Sequence, residues 1–427
     1  MRILFVDSQL PGHFRHLPGY LAAQGGHDVA FLHQDAVIPV WPGVRSVPFG
    51  TVRMPRDSTN PLLRLYEGAI LGGRSAFRAV WDLRAEGYVP DVIVAFTGWG
   101  APLFLRELYP ATRIVAYNDW YNWSRASAYD FFPERPLTLG RAARVHLRNA
   151  STLLELADAD WLMVTTRWQL AQFPLALWSR ASVLHDGIDT DQFSPGPSVG
   201  FRTSSIDLRG VEELVTYATR GMEPYRGFGQ FLQAVQILQK KRPRCHVVVA
   251  GTDRTYYSWT APDGSTWKDH LLPQLDLDLS RIHFTGALSQ DQMVQLLRAS
   301  HAHAYLSAPY LPSWSLFEAM SAGCVVVASD TGPVQEAVQD GVNGLLFDFF
   351  DTEALAARLD EAIERRSELG ALREAARQIT VERYSLPRML PRQAAMLADV
   401  VAGKAAPDVE GSAAPFVAAA RAEAVPV

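Results

Sequence analysis

The chain is poor in the features that would give it a quick assignment. It holds only two cysteines in 427 residues, Cys245 and Cys324. They show no metal-ligand spacing and sit in apolar strand contexts, so a disulfide scaffold or a zinc module is excluded, and the expectation is a pair of reduced core thiols in a cytoplasmic protein. Nowhere is there an apolar run of about 18 residues, the length a membrane-crossing helix needs. The opening Met1-Arg2-Ile3-Leu4-Phe5-Val6-Asp7 reads as a strand, too short for the apolar centre of a signal peptide. A net charge of −5 gives no basic footprint for nucleic acid. No G-x-G-x-x-G follows the first strand, which leaves a nicotinamide-binding reading without its phosphate turn. No metal motif of the Asp-x-Asp kind stands near the candidate cleft residues, and no internal sequence repeat is present.

What remains is an ordinary globular composition, 48% hydrophobic and 20% charged, enough for two or three domains with substantial cores. Eleven tryptophans suit interfaces or sugar stacking and prove neither. Short β-branched runs alternate with helical patterns along the whole chain. Ile3 to Val6, Val29 to His33, Asp91 to Phe96, Ile114 to Tyr117 and Trp161 to Thr166 read as buried parallel strands in the first half. Leu214 to Ala218, His246 to Ala250, Ala302 to Ser307 and Val325 to Val327 do so in the second. Ser194-Pro195-Gly196-Pro197-Ser198 punctuates the alternation and reads as a linker. The tail from Ala402 is rich in Ala, Pro and Glu, with the composition of a disordered segment.

The stretch Ser313 to Gly344 organises the rest. Ser313 or Ser315 can cap a helix, and Glu318 stands at capping-box distance from Ser315. Gly323 can end that helix in a left-handed conformation. The Asp330-Thr331-Gly332-Pro333 turn opens another helix. A helix N-terminus attracts anions, and a carboxylate one turn further in can accept hydroxyl hydrogen bonds. Phosphate plus ribose describes a nucleotide.

This stretch resembles the donor-binding signature of the family-4 retaining glycosyltransferases. The match lies at Glu318-Ala319-Met320, Gly323, Ala328-Ser329, Glu336, Asp340-Gly341 and Asn343-Gly344. At Tyr310, within Pro309-Tyr310-Leu311-Pro312, the family carries a glutamate that touches the donor sugar. The first half resembles a bacterial subgroup through Gly98-Trp99-Gly100 and Asp130-Phe131-Phe132-Pro133-Glu134. There Phe96 replaces the subgroup's histidine, Ala101 its glutamate, and Asp119 another glutamate.

The resemblance implies an α/β GT-B fold, two Rossmann-like doubly wound domains facing across a cleft. The implied divisions are an acceptor-side domain over 1–195, a donor domain over 205–384, a helix over 385–401 crossing back to the first domain, and the tail 402–427. It implies transfer of a hexosyl group, with retention, from a nucleotide-diphosphate sugar to a glycan, lipid or small-molecule acceptor, with no metal and no other cofactor. Arg220 and Arg226 fill the positions that grip the donor diphosphate, two guanidinium forks for two phosphates. With Glu318 on the ribose they form the catalytic set. Donor contacts are expected at Ser313, Trp314, Ser315, Tyr310, Asp253, Arg254, Gly286, Ala287 and Leu288. Acceptor-side contacts are expected at Gly12, His13, Trp99, Asp119 and Arg167. The cluster Arg141, Arg144, His146 and Arg148 reads as a solvated helix face, or as contact to an anionic acceptor or to headgroups at the inner face of a membrane. The altered positions leave two other readings open. One is a catalytically altered paralogue that binds a nucleotide sugar, and the other is a nucleotide-sugar epimerase.

Overall fold

The computed structural model describes residues 1–34, 41–50, 52–125, 127–197, 200–409, 413 and 416. The chain forms two compact units: Met1–Gly187 together with Leu386–Val427, and Ile188–Ser385. The break between them falls at Gly187, ahead of the Pro-rich linker expected near Pro195. The residues around that expected linker are instead fixed within the second unit, where Arg298 donates from Nε to the Ser194 carbonyl at 2.8 Å. Ser198 lies outside the described residues.

In the first unit the described residues form a seven-stranded parallel sheet: β1 (Arg2–Val6), β2 (Asp28–His33), β3 (Val44–Pro48), β4 (Val92–Phe96), β5 (Arg113–Tyr117), β6 (Trp161–Val164) and β7 (Ala181–Val183). The order is β3-β2-β1-β4-β5-β6-β7. Side chains alternate faces along each strand, and both faces are covered. Leu4, Val6, Ile93 and Ala95 pack with Ala76, Val80 and Leu83 of the helix Arg64–Ala85. Ile3, Phe5, Val92 and Val94 pack on the other side with Leu17, Leu21, Leu397 and Val400. The last two belong to the helix Leu386–Val401, which is therefore part of this unit's core, and Gln393 on it donates to the His185 carbonyl at 2.7 Å. The tail expected to be disordered from Ala402 contributes to this core as well: Val409 and Ala413 are buried. Their apolar side chains outweigh the surrounding Ala, Pro and Glu bias. Residues 410–412, 414–415 and 417–427 lie outside the described residues.

The second unit has a six-stranded parallel sheet of β8 (Glu213–Gly221), β9 (Cys245–Thr252), β10 (Ile282–Gly286), β11 (Ala302–Tyr305), β12 (Val326–Ser329) and β13 (Leu345–Phe347), ordered β10-β9-β8-β11-β12-β13. Each sheet reverses its winding once, between β1 and β4 in the first and between β8 and β11 in the second. In open α/β sheets the carboxyl ends of strands on either side of that reversal form a crevice for ligands.

The organising helix spans Trp314–Ser321 with Ser313 at its N-cap. The capping box expected between Ser315 and Glu318 does not form. Ser315 lies inside the helix, and the Ser313 hydroxyl is engaged with the Ser315 hydroxyl at 2.6 Å. The C-terminus follows the glycine. Gly323 adopts φ 75°, its N–H reaches the Met320 carbonyl at 3.1 Å, and the Cys324 N–H reaches the Ala319 carbonyl at 3.1 Å, the paired bonds of a Schellman stop.

Candidate functional site: two sheet reversals of opposite charge

At the reversal of the second sheet, β8 runs out into Arg220-Gly221-Met222-Glu223-Pro224-Tyr225-Arg226-Gly227. Gly227 takes φ 63°, and a Cβ there would lie 2.4 Å from the Leu306 side chain, so only glycine lets this turn press against the end of β11. The turn carries Arg226 across the reversal. Its Nη1 donates to the Ser307 hydroxyl at 3.1 Å, and its carbonyl accepts from the Tyr217 hydroxyl at 2.7 Å. Ser307 is itself fixed, because its N–H donates to the Ser329 hydroxyl and its carbonyl accepts from the Ser329 and Thr331 hydroxyls. Arg226 is buried and Arg220 is exposed.

Both arginines lie against tyrosines. The Arg220 guanidinium sits 4.5 Å from the Tyr256 ring centroid and donates to the Tyr257 hydroxyl at 3.0 Å. The Arg226 guanidinium sits 5.6 Å from the Tyr257 ring. Tyr310 continues the aromatic surface, 6.1 Å from Tyr257 between centroids. Two cations therefore converge on one ring at a sheet reversal, next to a helix N-terminus whose Ser313 N–H is held by the Tyr305 hydroxyl at 2.8 Å. Trp314, Ser315 and Glu318 are partly exposed on the first turns of that helix.

Other expected donor residues have different surroundings. Asp253 accepts from the Thr266 hydroxyl at 2.9 Å and pairs with Lys268 at 3.1 Å, which ties the loop after β9 together. Arg254 is exposed, and its carbonyl blocks any side chain at position 221. Gly286 ends the edge strand β10, two strands from β8, and Ala287 and Leu288 follow it. The rear of the signature is a folding device. Asp340 accepts from the Leu346 N–H and pairs with Arg358, and the Asn343 amide closes the turn from Ala337 to Gln339.

The reversal of the first sheet gathers acids around one imidazole. Asp7, at the end of β1, is buried. One of its oxygens accepts from both the His13 N–H and the His13 ring Nδ1 at 2.9 Å. Gly12, at φ 55°, is required because a Cβ would lie 2.2 Å from that oxygen. His13 stacks on Phe96 from the end of β4, 3.5 Å between centroids, and its Nε2 lies 4.0 Å from Asp119 after β5. Tyr117 donates to Asp186 at 2.8 Å. Burial works against protonation of His13, but the Asp7 hydrogen bond and the charges of Asp119, Asp7 and Asp186 prevail and hold its pKa above the ordinary value. Burial raises Asp119, partly offset by His13. Gly12, His13 and Asp119 are thus brought together. Trp99 is 65% exposed on the loop after β4, and Arg167 is exposed at the start of the helix after β6. Among the described residues no three His, Cys, Asp or Glu side chains gather as a metal site.

The model of the glycosyl transferase family 4 group matches residues 25–193, and that of glycosyl transferases group 1 matches residues 207–379. The chain belongs to the family-4 glycosyltransferases. Among curated relatives of this family member are the D-inositol 3-phosphate glycosyltransferases of Mycobacterium marinum, 31% identical over 55% of this chain and 48% of theirs, and of Mycolicibacterium smegmatis, 31% identical over 54% and 51%. The chain spans about half the length of the curated relatives it matches. Solved structures of the same GT-B fold include sucrose-phosphate synthase from Thermosynechococcus elongatus (TM-score 0.70, 17% identical, 94% of this chain and 100% of that one). Another is Anabaena HepE, solved with UDP and glucose (TM-score 0.64, 16% identical, 93% and 99%).

Several side chains that build these two reversals stand in no recognisable motif of this sequence. Asp7 ends a strand like any other acid. Ser307 is one serine among many. Tyr256 and Tyr257 signal only as an adjacent aromatic pair. Glu155 is buried on the helix Asn149–Asp158 and accepts from the Gly98 and Gly100 N–H groups, so it folds the Gly98-Trp99-Gly100 loop. Burial pushes its pKa up to about 8 despite those bonds.

Proposed function

We propose that this chain transfers a hexosyl group from a nucleoside-diphosphate sugar to a hydroxyl of a carbohydrate or lipid-linked acceptor, with retention at the anomeric carbon. The observation that carries the reading is the pair Arg220 and Arg226 on one tyrosine at the β8/β11 reversal, one of them anchored across it to Ser307. Two guanidiniums there match two phosphates. As the glycosidic bond breaks, negative charge grows on the departing diphosphate. Donors already oriented toward it stabilise the transition state more than the ground state. The N-terminus of the helix Trp314–Ser321 adds partial positive charge, and Glu318 one turn in accepts the ribose hydroxyls. The leaving phosphate oxygen takes the acceptor proton on the same face of the sugar, so no carboxylate nucleophile is needed.

On the acceptor side, His13 fills the role left open by Phe96. The phenyl ring stands where the subgroup carries histidine, and it supports the His13 imidazole by stacking. A His13 kept protonated by Asp7 and Asp119 presents a cation to an oxygen-rich ligand. The buried thiols Cys245 and Cys324 suit a reducing compartment, with burial pushing both up to about 12. No described helix is long and apolar enough to cross a membrane. Cytoplasmic action with peripheral contact through Arg144, His146 and Arg148 is part of the proposal, and these three side chains are exposed. A thermal-shift panel of UDP-, GDP-, ADP- and dTDP-sugars, followed by product analysis with anomeric coupling constants, tests it. One donor should stabilise the protein and yield an α-linked product from an α-linked donor. Stabilisation by none, or a product of inverted configuration, overturns it.

A further inference from the structure

The guanidiniums of Arg220 and Arg226 are exposed and buried respectively, yet both find the same ring. What places that ring is Glu223, two residues before Tyr225 on the same turn. Glu223 is fully buried. Its Oε2 accepts four hydrogen bonds, from the backbone N–H of Tyr256 at 3.1 Å, of Tyr257 at 2.9 Å and of Ser258 at 2.8 Å, and from the Ser258 hydroxyl at 2.9 Å. Three successive N–H groups converging on one carboxylate oxygen form a backbone nest, a geometry that favours an anion. Among the described residues its Oε1 has no hydrogen-bond partner. Burying a carboxylate this completely costs free energy unless it is well bonded, so this arrangement holds something in place. It holds the Tyr256–Ser258 turn. Gly221 reinforces the fit, since a Cβ there would lie 2.6 Å from the Tyr256 ring.

We infer that Glu223 is a positioning residue for the donor site, acting through Tyr256 and Tyr257 on the two arginines. The inference rests on the donor reading given above. A guanidinium stacked on an aromatic face keeps its in-plane N–H groups directed outward, because the attraction uses the π face and not the donors. Tyr256 orients Arg220 and Tyr257 orients Arg226, while the Tyr257 hydroxyl fixes Arg220 edge-on. The two forks are thereby set at a constant separation before a diphosphate arrives. Less order has to be imposed on binding, and affinity rises accordingly. Glu223 touches neither phosphate nor sugar in this scheme. It sets the turn, the turn sets the rings, and the rings set the cations.

The test is a double-mutant cycle read by calorimetric affinity for UDP, GDP, ADP and dTDP, taking whichever the unmodified protein binds best. Tyr257→Ala removes the shared ring at a position 40% exposed, where folding should survive. It should weaken nucleotide binding about tenfold. Tyr257→Phe, which keeps the ring, should lose about threefold or less. Glu223→Gln should lose as much as Tyr257→Ala, and the double variant should lose no more than either single, because both act through one turn. Arg226→Ala is the reference. If it abolishes binding while Glu223→Gln and Tyr257→Ala leave affinity unchanged, the positioning inference fails and the donor site stands. Additive losses in the double variant also defeat the inference. If Arg226→Ala leaves affinity intact, or the unmodified protein binds none of the four nucleotides, the donor reading fails and takes this inference with it. Circular dichroism of Glu223→Gln separates loss of the turn from loss of the fold.

Discussion

Both sheets reverse beside their first strand, β1 against β4 in one unit and β8 against β11 in the other. Both use a glycine with positive φ to bring a polar turn hard against the strand ends, Gly12 onto Asp7 and Gly227 onto Leu306. There the likeness stops. The first reversal collects Asp7, Asp119 and Asp186 around His13 and Tyr117. The second collects Arg220 and Arg226 around Tyr256, Tyr257 and Ser307. One topology thus carries opposite signs of charge, and the difference lies in a few loop residues after the strands. The sheet supplies a crevice, and the loops decide what enters it.

The sharpest way to break this contrast is to discharge the second reversal. A hydrogen bond to a charged group is worth roughly 1.5–3 kcal/mol, and Arg226 can give two to a diphosphate. Arg226→Ala should lower kcat/KM by about 30–1000-fold, part of it in kcat, because the leaving group gains charge as the bond breaks. Steady-state kinetics checks this, and near-normal values would remove the donor from this reversal. Glu318→Gln keeps the shape but weakens the hold on a ribose. About tenfold in donor KM with kcat little changed is expected, and a loss confined to kcat would contradict its role.

In the first reversal the test is the charge on His13. Asp7→Asn removes the carboxylate that supports the imidazolium, so the His13 pKa should fall toward or below its ordinary value, in a proton NMR titration of the folded protein. A raised folded pKa means that the stability His13 supplies is fully present below about pH 6.5, the ordinary value of a histidine, and is lost as pH rises through its folded pKa. The variant should flatten that loss. An unchanged titration would show that Asp7 does not govern His13.

A separate effect, on stability and not on turnover, concerns Glu155 beneath the Gly98-Trp99-Gly100 loop. Its folded pKa of about 8 lies above the ordinary 4.5, so the folded chain binds this proton more tightly than the unfolded one. That contribution is fully present below pH 4.5 and is lost as pH rises through about 8. Melting temperature should therefore decline between pH 5 and 9, by about 2–4 °C for each kcal/mol lost. Glu155→Gln should reduce the slope, and an identical slope in the variant would show that another group is responsible.

Much of the second reversal was legible from the chain. Arg220, Arg226 and Glu318 stand in register with a signature extending to Gly344, and the helix stop at Gly323 follows from glycine's freedom at positive φ. The first reversal was less so. The family resemblance points to His13, Gly12 and Asp119, while Asp7, Tyr117 and Asp186 form no local pattern and meet only through the fold. The capping box failed for a related reason. Ser315 and Glu318 have the spacing, but Ser313 takes the cap and engages the Ser315 hydroxyl. The break between units falls at Gly187 and not near Pro195, and Val409 and Ala413 of the expected loose tail are buried, because composition reports solubility, while burial depends on a surface formed elsewhere.

The sequence alone determined the alternation of strand and helix, the family and the signature helix, because these rest on periodicity and on residues close together in the chain. Tertiary structure decided which side chains share a reversal. Glu223 meets Tyr256 to Ser258 more than thirty positions away, and Arg226 meets Ser307 at a separation of 81. Such pairings are fixed by the parallel order of the strands. That order is set by burying both faces of each sheet at once, a requirement on the whole unit that no local stretch records.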